Sequence, residues 1–176
     1  KGKSNFGGYE IQGKTLLVIG LGAIGVLVAN AAQQLGMDVV GFDPYLGVSQ
    51  ALKLSNKIQV ARSLETAMAN ADFISLNIPL TPDTKNYICR EKMGQMKTGV
   101  KILNFSRGGL VNDDDLGEAL ESGQVARYVT DFPDENVLKM KNAICIPHLG
   151  ASTEESETNC AIMAVDQLRE YFENGN

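Results

Sequence analysis

The sequence predicts an α/β fold in which a doubly wound parallel sheet carries helices on both faces. First, short apolar runs alternate along the chain with segments whose apolar residues recur at helical spacing. Second, 176 residues with 44% hydrophobic side chains suffice for a domain with its own core. Third, four of the five prolines come shortly after predicted strands, namely Pro44, Pro79, Pro133 and Pro147. Since the carboxyl ends of parallel strands share one edge, where such folds bind ligands, we expect a site there.

The first strand and helix have the strongest patterns. The apolar run at 15–19 ends at Gly20 and predicts a buried strand. The next helix has apolar residues at helical spacing and closes at a glycine, and these residues are Ile24, Val28, Ala31, Leu35 and Gly36. The same criteria predict strands near 39–42, 58–60, 73–76, 101–105, 125–130 and 143–146, and helices near 48–54, 63–69 and 91–95.

Capping residues delimit the two remaining helices. Asn112 precedes three acidic residues at the positive end of a helix dipole, and Gly123 ends that helix. The capping box Ser152-Thr153-Glu154-Glu155 starts a last helix that runs to about Phe172. We therefore expect a hinge segment at 1–14, a sheet domain at 15–152 and a C-terminal helix within 153–176.

Charge and cysteine content exclude several classes of partner. A net charge of −5 disfavours nucleic acid and anionic membrane surfaces. No apolar run approaches the ~20 residues of a membrane span, and no signal peptide is visible. The three cysteines are too few and too widely spaced for a disulfide framework or a zinc site. We expect a cytoplasmic protein without a metal ion.

The run Gly20-Leu21-Gly22-Ala23-Ile24-Gly25 is a G-x-G-x-x-G motif. Because the chain has 18 glycines, the motif alone is weak evidence. Here it follows a strand and opens a helix, which is the context of the Rossmann dinucleotide fingerprint. Gly20 permits the tight turn, Gly22 lets the backbone approach a pyrophosphate, and Gly25 lets the helix pack close to the strand. The pyrophosphate would lie on the N–H groups at the helix start.

Asp43 ends the second predicted strand, downstream of the glycine motif. A carboxylate there can accept hydrogen bonds from the adenosine ribose hydroxyls and would repel a 2′-phosphate. The pattern therefore predicts NAD rather than NADP as the cofactor. The alternative is a glycine turn with an aspartate that serves only as a cap.

Arg107, Glu135 and His148 each follow a predicted strand, and His148 is the sole histidine of the chain. Hydride transfer to a 2-keto acid requires a guanidinium for the substrate carboxylate and an imidazolium to protonate the developing alkoxide. It also requires an acid beside the imidazolium, which orients it and raises its pKa. The alternative for each residue is ordinary: a solvated arginine, a structural histidine and a surface glutamate.

Four segments together resemble the D-2-hydroxyacid dehydrogenase family in order and spacing. They are the glycine motif, Pro79-Leu-Thr-Pro-Asp-Thr84, Asn104-Phe-Ser-Arg-Gly-Gly-Leu-Val-Asn112 and Pro147-His-Leu-Gly-Ala-Ser-Thr153. The resemblance covers nearly the whole chain and implies that Arg107, Glu135 and His148 are the catalytic residues. It further implies a cofactor site formed by Gly20, Gly22, Ala23, Ile24, Gly25, Asp43, Asn77, Ile78, Pro79, Thr84, Phe105, Ser106, Arg107, Asp131, His148, Gly150 and Ala151.

The chain departs from the family pattern at two places. The run 130–136 is one residue shorter than usual and lacks a proline after Glu135, so either Thr130 or Asp131 takes the position of the family's aspartate near the nicotinamide. Ala23 replaces a larger or basic residue, so a side-chain contact to the pyrophosphate is missing. The family also has a discontinuous substrate domain, which is absent here. The chain starts without Met, and we expect a piece of a longer homo-oligomer, a dimer or tetramer, nearly inactive alone.

The Gly-Ala-Ser-Thr run after His148 resembles the phosphoglycerate dehydrogenase branch of the family. This implies 3-phosphoglycerate and 3-phosphohydroxypyruvate as the substrate pair, at the start of serine biosynthesis. Glycerate, lactate or another 2-hydroxy acid is an open alternative, because selectivity lies largely in the missing domain. A non-catalytic NAD-sensing corepressor is the third hypothesis.

Overall fold

A computed structural model of the protein describes residues 8–175 and confirms the predicted α/β fold. Within these residues, seven strands form one parallel sheet in the order β3-β2-β1-β4-β5-β6-β7. The strands are β1 Thr15–Ile19, β2 Asp38–Phe42, β3 Gln59–Val60, β4 Phe73–Leu76, β5 Val100–Asn104, β6 Val125–Thr130 and β7 Ala143–Cys145. The order reverses between β1 and β4, and doubly wound sheets bind ligands outside the strand ends at such a reversal.

Helices connect the strands and cover both faces of the sheet. They are α1 Ala23–Gln34, α2 Val48–Ala51, α3 Leu64–Asn70, α4 Arg90–Gln95 and α5 Asp113–Ser122. A sixth helix, α6 Glu154–Asn174, follows the last strand. One core cluster includes buried residues of α3, α4 and α5, and a second cluster lies on the side of α1. β1 contributes to both, because Leu17 and Ile19 belong to the first cluster and Leu16 and Val18 to the second. This double burial explains why the strand reads as a continuous apolar run.

The predicted cap of α5 is present, whereas α6 is capped by Thr153 without the predicted box, since Ser152 N donates to Leu149 O and not to Glu155. The Asn112 side chain accepts a hydrogen bond from Asp115 N at 3.0 Å, and α5 ends at Gly123, whose φ is +79°. The Thr153 hydroxyl caps α6 by accepting a hydrogen bond from Ser156 N at 3.1 Å. This last helix continues past the predicted Phe172 and ends at Gly175, whose φ is +71°.

Two local features differ from the predictions. The helix expected near 48–54 ends at Ala51, because Asn30 of α1 holds the following turn through bonds to Lys53 O (2.8 Å) and from Ser55 N (2.9 Å). A short 3-10 helix, Val137–Lys139, was not predicted. A contact from another part of the chain determines the first feature, and a preceding side chain determines the second.

The chain divides into two compact units, one ending at Ile146 and one beginning at Pro147. The expected boundaries at 14/15 and 152/153 remain predictions, and residues 1–7 of the expected hinge segment lie outside the described part. Within residues 8–175, no helix is long and apolar enough to cross a membrane.

Candidate functional site

The glycine loop connects β1 to α1 with the geometry that its three glycines require. Gly20 has φ +91°, and a Cβ on it would lie 2.3 Å from Asn77 O. A Cβ on Gly25 would lie 1.9 Å from Gly20 O. Gly22 is exposed, and a Cβ there would meet no atom of residues 8–175 within 4 Å. The loop is therefore closed against β4 on one side and open to a ligand at Gly22.

The start of α1 fits an anionic group. Gly22 is its N-cap residue, no side chain caps it, and its first turn contains no acid. The first N–H groups of this twelve-residue helix thus carry the positive end of its dipole without competition from a carboxylate of its own first turn. The predicted pyrophosphate fits this position. Ala23 and Ile24 are exposed there.

Asp43 lies directly beyond β2 and contacts the glycine loop. Its Oδ2 accepts a hydrogen bond from Leu21 N at 2.8 Å, and its Oδ1 accepts one from Tyr45 N at 2.8 Å. Each carboxylate oxygen can accept two hydrogen bonds, so each oxygen of Asp43 can still accept one from a ribose hydroxyl. The cap and the cofactor interpretations of Asp43 are therefore compatible.

The segment after β4 forms the neighbouring wall of this edge. Asn77 N donates to Ile19 O at 2.7 Å, and the Asn77 amide donates to Ser75 Oγ at 3.0 Å. Ile78 is half-buried and Pro79 is exposed. The Thr84 hydroxyl donates to Pro79 O at 2.6 Å and accepts from Thr81 N at 2.7 Å, so it closes the loop 79–84.

A buried asparagine holds the turn that carries Arg107. The Asn104 side chain, only 1% exposed, donates to Arg107 O at 2.9 Å and to Tyr128 Oη at 3.0 Å. The hydroxyl of Ser106 donates to Leu76 O at 2.6 Å, which ties the turn to β4. The Arg107 side chain is exposed, and its guanidinium lies 5.7 Å from the centre of the Phe132 ring.

The loop 131–136 follows β6 and includes two of the predicted site residues. Thr130, at the end of β6, is fully buried, and its hydroxyl accepts a hydrogen bond from Phe132 N at 3.1 Å. Asp131 is half-buried beyond the strand end, and Glu135 is exposed. Because Arg107 contacts Phe132, the structure brings the loop of Glu135 beside Arg107.

His148, Gly150 and Ala151 belong to the second unit. All three are exposed, in a turn in which Leu149 N donates to Pro147 O and Ser152 N donates to Leu149 O. This turn leads into the Thr153 cap of α6. The roles of these residues and of the other predicted site residues remain predictions.

Two residues of this edge escaped the sequence analysis. Asn104 ends an apolar strand, and a buried asparagine followed by Ser-Arg-Gly-Gly could have indicated that its amide supports the arginine turn. The sequence indicates only a helix-dipole role for Asp113, which is half-buried in the first turn of α5. Burial and the neighbouring Asp134 raise the pKa of Asp113 to about 6.

Residues 1–150 match the family model of the D-isomer specific 2-hydroxyacid dehydrogenase, NAD binding domain. The chain is 37% identical over 173 residues to the D-3-phosphoglycerate dehydrogenase of Methanocaldococcus jannaschii, covering 95% of this chain and 33% of that protein. It thus spans about a third of the length of this curated relative.

Solved structures show the same fold. A glyoxylate reductase from Paecilomyes thermophila has a TM-score of 0.84 at 31% identity, with 96% of this chain and 52% of that chain covered. The NAD-complexed D-isomer specific 2-hydroxyacid dehydrogenase from Lactobacillus delbrueckii ssp. bulgaricus has a TM-score of 0.83 at 26% identity, covering 98% of this chain and 57% of that one. The family model confirms the predicted cofactor class, NAD.

Proposed function

Because the chain belongs to the D-isomer specific 2-hydroxyacid dehydrogenase family, as its NAD-binding domain, we propose that the whole protein oxidises or reduces a 2-hydroxy or 2-keto acid at C2. The observation that carries this proposal is the position of Arg107. Its turn is tied to β4 through Ser106, at the sheet edge where the glycine loop also packs against Asn77. A group that can bind a substrate carboxylate is therefore located at the cofactor edge.

NAD would accept the hydride when the 2-hydroxy acid is oxidised, and NADH would donate it when the 2-keto acid is reduced. The N–H groups at the start of α1 would hold the pyrophosphate, with Gly22 giving it room. Asp43 would accept hydrogen bonds from the ribose hydroxyls while Leu21 N and Tyr45 N keep its carboxylate in place. The residues present thus fit the cofactor, and a 2′-phosphate beside Asp43 would be repelled.

Arg107 would bind the substrate carboxylate and help to polarise the neighbouring carbonyl. A guanidinium can donate two parallel hydrogen bonds to a carboxylate, which fixes the orientation of C2 as well as its position. The Phe132 ring below the guanidinium and the bond from Arg107 Nη1 to Ser106 O (2.7 Å) limit the positions of the side chain.

His148 would transfer the proton, and Glu135 would assist that transfer. In the reductive direction the imidazolium of His148 protonates the oxygen on C2, and in the oxidative direction neutral His148 removes that proton. Glu135 would orient the imidazole and favour its charged form. Support for these two roles comes from the family resemblance of the segments that contain them.

For the substrate we propose 3-phosphoglycerate and 3-phosphohydroxypyruvate. The Methanocaldococcus relative is a D-3-phosphoglycerate dehydrogenase, and the Gly-Ala-Ser-Thr run after His148 resembles that branch. A specific observation favours a second candidate, an unphosphorylated keto acid, because a glyoxylate reductase shares the fold at 31% identity. Phosphate-binding residues of a substrate domain would decide between them.

The test is NADH oxidation by the whole protein with 3-phosphohydroxypyruvate, hydroxypyruvate, pyruvate and glyoxylate. We expect kcat/KM to favour the phosphorylated acid by about a hundredfold, or roughly 2.7 kcal/mol of transition-state discrimination. Preference for an unphosphorylated acid would keep the mechanism and replace the substrate. Absence of turnover with all four would favour a NAD-sensing corepressor.

A variant control identifies the acid-base group. His148→Gln should abolish most turnover, because the amide cannot exchange a proton near neutral pH, and should weaken NADH binding, measured by fluorescence, far less. Retained turnover would exclude His148 from this role.

We further propose that the whole protein is a cytoplasmic homo-oligomer, a dimer or tetramer. Light scattering after size-exclusion chromatography would test the number of subunits.

A further inference from the structure

Tyr128 lies on β6 with its side chain in the core, and only 4% of the residue is exposed. A tyrosine in such a position buries a hydroxyl group, and a buried hydroxyl group requires a hydrogen-bond partner. Its Oη accepts a hydrogen bond from Asn104 Nδ2 at 3.0 Å, and both side chains are buried. The partner of Tyr128 is therefore the same side chain that holds the arginine turn.

The register of the sheet explains why only a long side chain reaches Asn104 from this position. β5 and β6 pair in parallel, with Asn104 opposite Thr130 and Ile102 opposite Tyr128. Tyr128 is therefore the diagonal neighbour of Asn104 on the same face of the sheet. With strands about 4.8 Å apart and a rise of about 3.3 Å per residue, the two Cα atoms are about 8 Å apart. A tyrosine side chain spans that gap, whereas the short hydroxyl side chains of serine and threonine would not.

The Asn104 amide connects Tyr128 to the turn that carries Arg107. Its Nδ2 also donates to Arg107 O at 2.9 Å, and its Oδ1 accepts a hydrogen bond from Ser106 N at 3.2 Å. Arg107 Nη1 in turn donates to Ser106 O at 2.7 Å. With the bond to Tyr128, both N–H protons and the oxygen of the amide are engaged, so the amide has a single orientation. The hydroxyl of Tyr128 is thus the anchor of a hydrogen-bond network that ends at the guanidinium.

The strand β6 also supports the guanidinium itself. Phe132 follows this strand, and its N donates to the Thr130 hydroxyl at 3.1 Å. The guanidinium of Arg107 lies 5.7 Å from the centre of the Phe132 ring. The same strand therefore holds Arg107 at two points, the backbone through Tyr128 and Asn104 and the side chain through Phe132.

We propose that Tyr128 is a positioning residue for the 2-keto acid: its hydroxyl fixes the Asn104 amide and thereby the turn from which Arg107 presents its guanidinium. Tyr128 itself does not touch the substrate, because it is buried in the core. Burial raises the pKa of Tyr128, so its hydroxyl stays neutral near neutral pH. The network rests on the described hydrogen bonds, and its consequence for turnover rests on the function proposed for Arg107.

The test compares Tyr128→Phe with Tyr87→Phe in the whole protein. Tyr128→Phe keeps the ring in the core but removes the hydroxyl, so a buried N–H of Asn104 loses its acceptor. Tyr87 is half-buried, its ring faces Lys92 Nζ at 4.5 Å and it lies outside the Asn104 network, so Tyr87→Phe is the matched control. For the keto acid that the wild type prefers, kcat/KM should fall about tenfold in Tyr128→Phe and less than about twofold in Tyr87→Phe.

A double-mutant cycle with Arg107→Lys separates positioning from a general loss of stability. In the Arg107→Lys background, Tyr128→Phe should lower kcat/KM less than about twofold, because the paired hydrogen bonds to the carboxylate are already lost. NADH affinity, measured by fluorescence, should change far less than kcat/KM in Tyr128→Phe. An equal loss of kcat/KM in both backgrounds, or no loss in the wild-type background, would overturn the proposal.

Hydrogen–deuterium exchange of the segment 105–109 gives a readout that does not depend on turnover. This segment contains the Ser106 N–H that Asn104 accepts, so its exchange should be about tenfold faster in Tyr128→Phe than in the wild type and Tyr87→Phe. Exchange of residues 15–19 in β1 is the reference for unfolding of the domain. Equal exchange of 105–109 in all three proteins would reject the positioning role. Faster exchange confined to Tyr128→Phe, in a protein that turns over no keto acid, would support the network and reject the proposed function.

Discussion

At the scale of single residues, buried polar side chains determine the geometry of the candidate site. Asn104 is 1% exposed, and its amide joins the carbonyl of Arg107 to the hydroxyl of Tyr128. A buried amide is tolerated only when its donors and acceptors are paired, and here the pairing holds a solvent-facing arginine in place. The exposed arginine that we propose as the carboxylate-binding group thus depends on a buried asparagine for its position.

Arg107→Lys should lower kcat/KM of the whole protein for its keto acid by about a hundredfold and weaken NADH binding far less. A lysine keeps the charge but loses the two parallel hydrogen bonds, and a charged hydrogen bond contributes about 1.5–3 kcal/mol. Steady-state kinetics would measure the effect. Arg127→Lys is the control, since Arg127 lies on β6 and bonds to Asn142, and equal losses in both variants would refute the assignment.

At the scale of secondary-structure elements, the helix caps have the clearest energetic consequences. The Asn112→Ala substitution removes the hydrogen bond that Asp115 N donates to the cap of α5. We expect a loss of about 1 kcal/mol in the free energy of unfolding, measured by urea denaturation. The exposed Glu121, in the last turn of the same helix, supplies the comparison. Glu121→Ala should change stability by no more than about 0.5 kcal/mol, and similar losses in both would contradict a capping role.

The strands and most helix ends follow from patterns that are local in sequence. β1 and the cap of α5 are predictable because hydrophobic runs and capping residues act within a few positions. The end of α2 is different, since Asn30, which lies on α1, fixes the turn after it. The same limit applies to the candidate site: the position of Asp43 is predictable from its spacing after the glycine motif, but the Asn104–Tyr128 hydrogen bond joins residues that no local pattern relates.

At the scale of the whole molecule, the chain contains a cofactor cradle but spans only a third of its Methanocaldococcus relative. We expect residues 1–176 alone to bind NADH and to turn over keto acids at a small fraction of the rate of the whole protein. The reason is that half of the substrate cleft, and the closure that excludes water, would be missing. NADH fluorescence would report binding, and brisk turnover by this chain alone would contradict the prediction.

The strand order also bears on how the chain reaches its native state. Every neighbouring pair of strands in this sheet is parallel, and the first strand, β1, pairs Ile19 with Phe42 on one side and with Leu76 on the other. Hairpins, which form fast because their halves are close in sequence, are therefore not part of this sheet. Each pairing must first close a long crossover, and such closure costs entropy before contacts repay it. During synthesis on the ribosome, β1 cannot pair with both of its neighbouring strands until Leu76, the last residue of β4, has emerged.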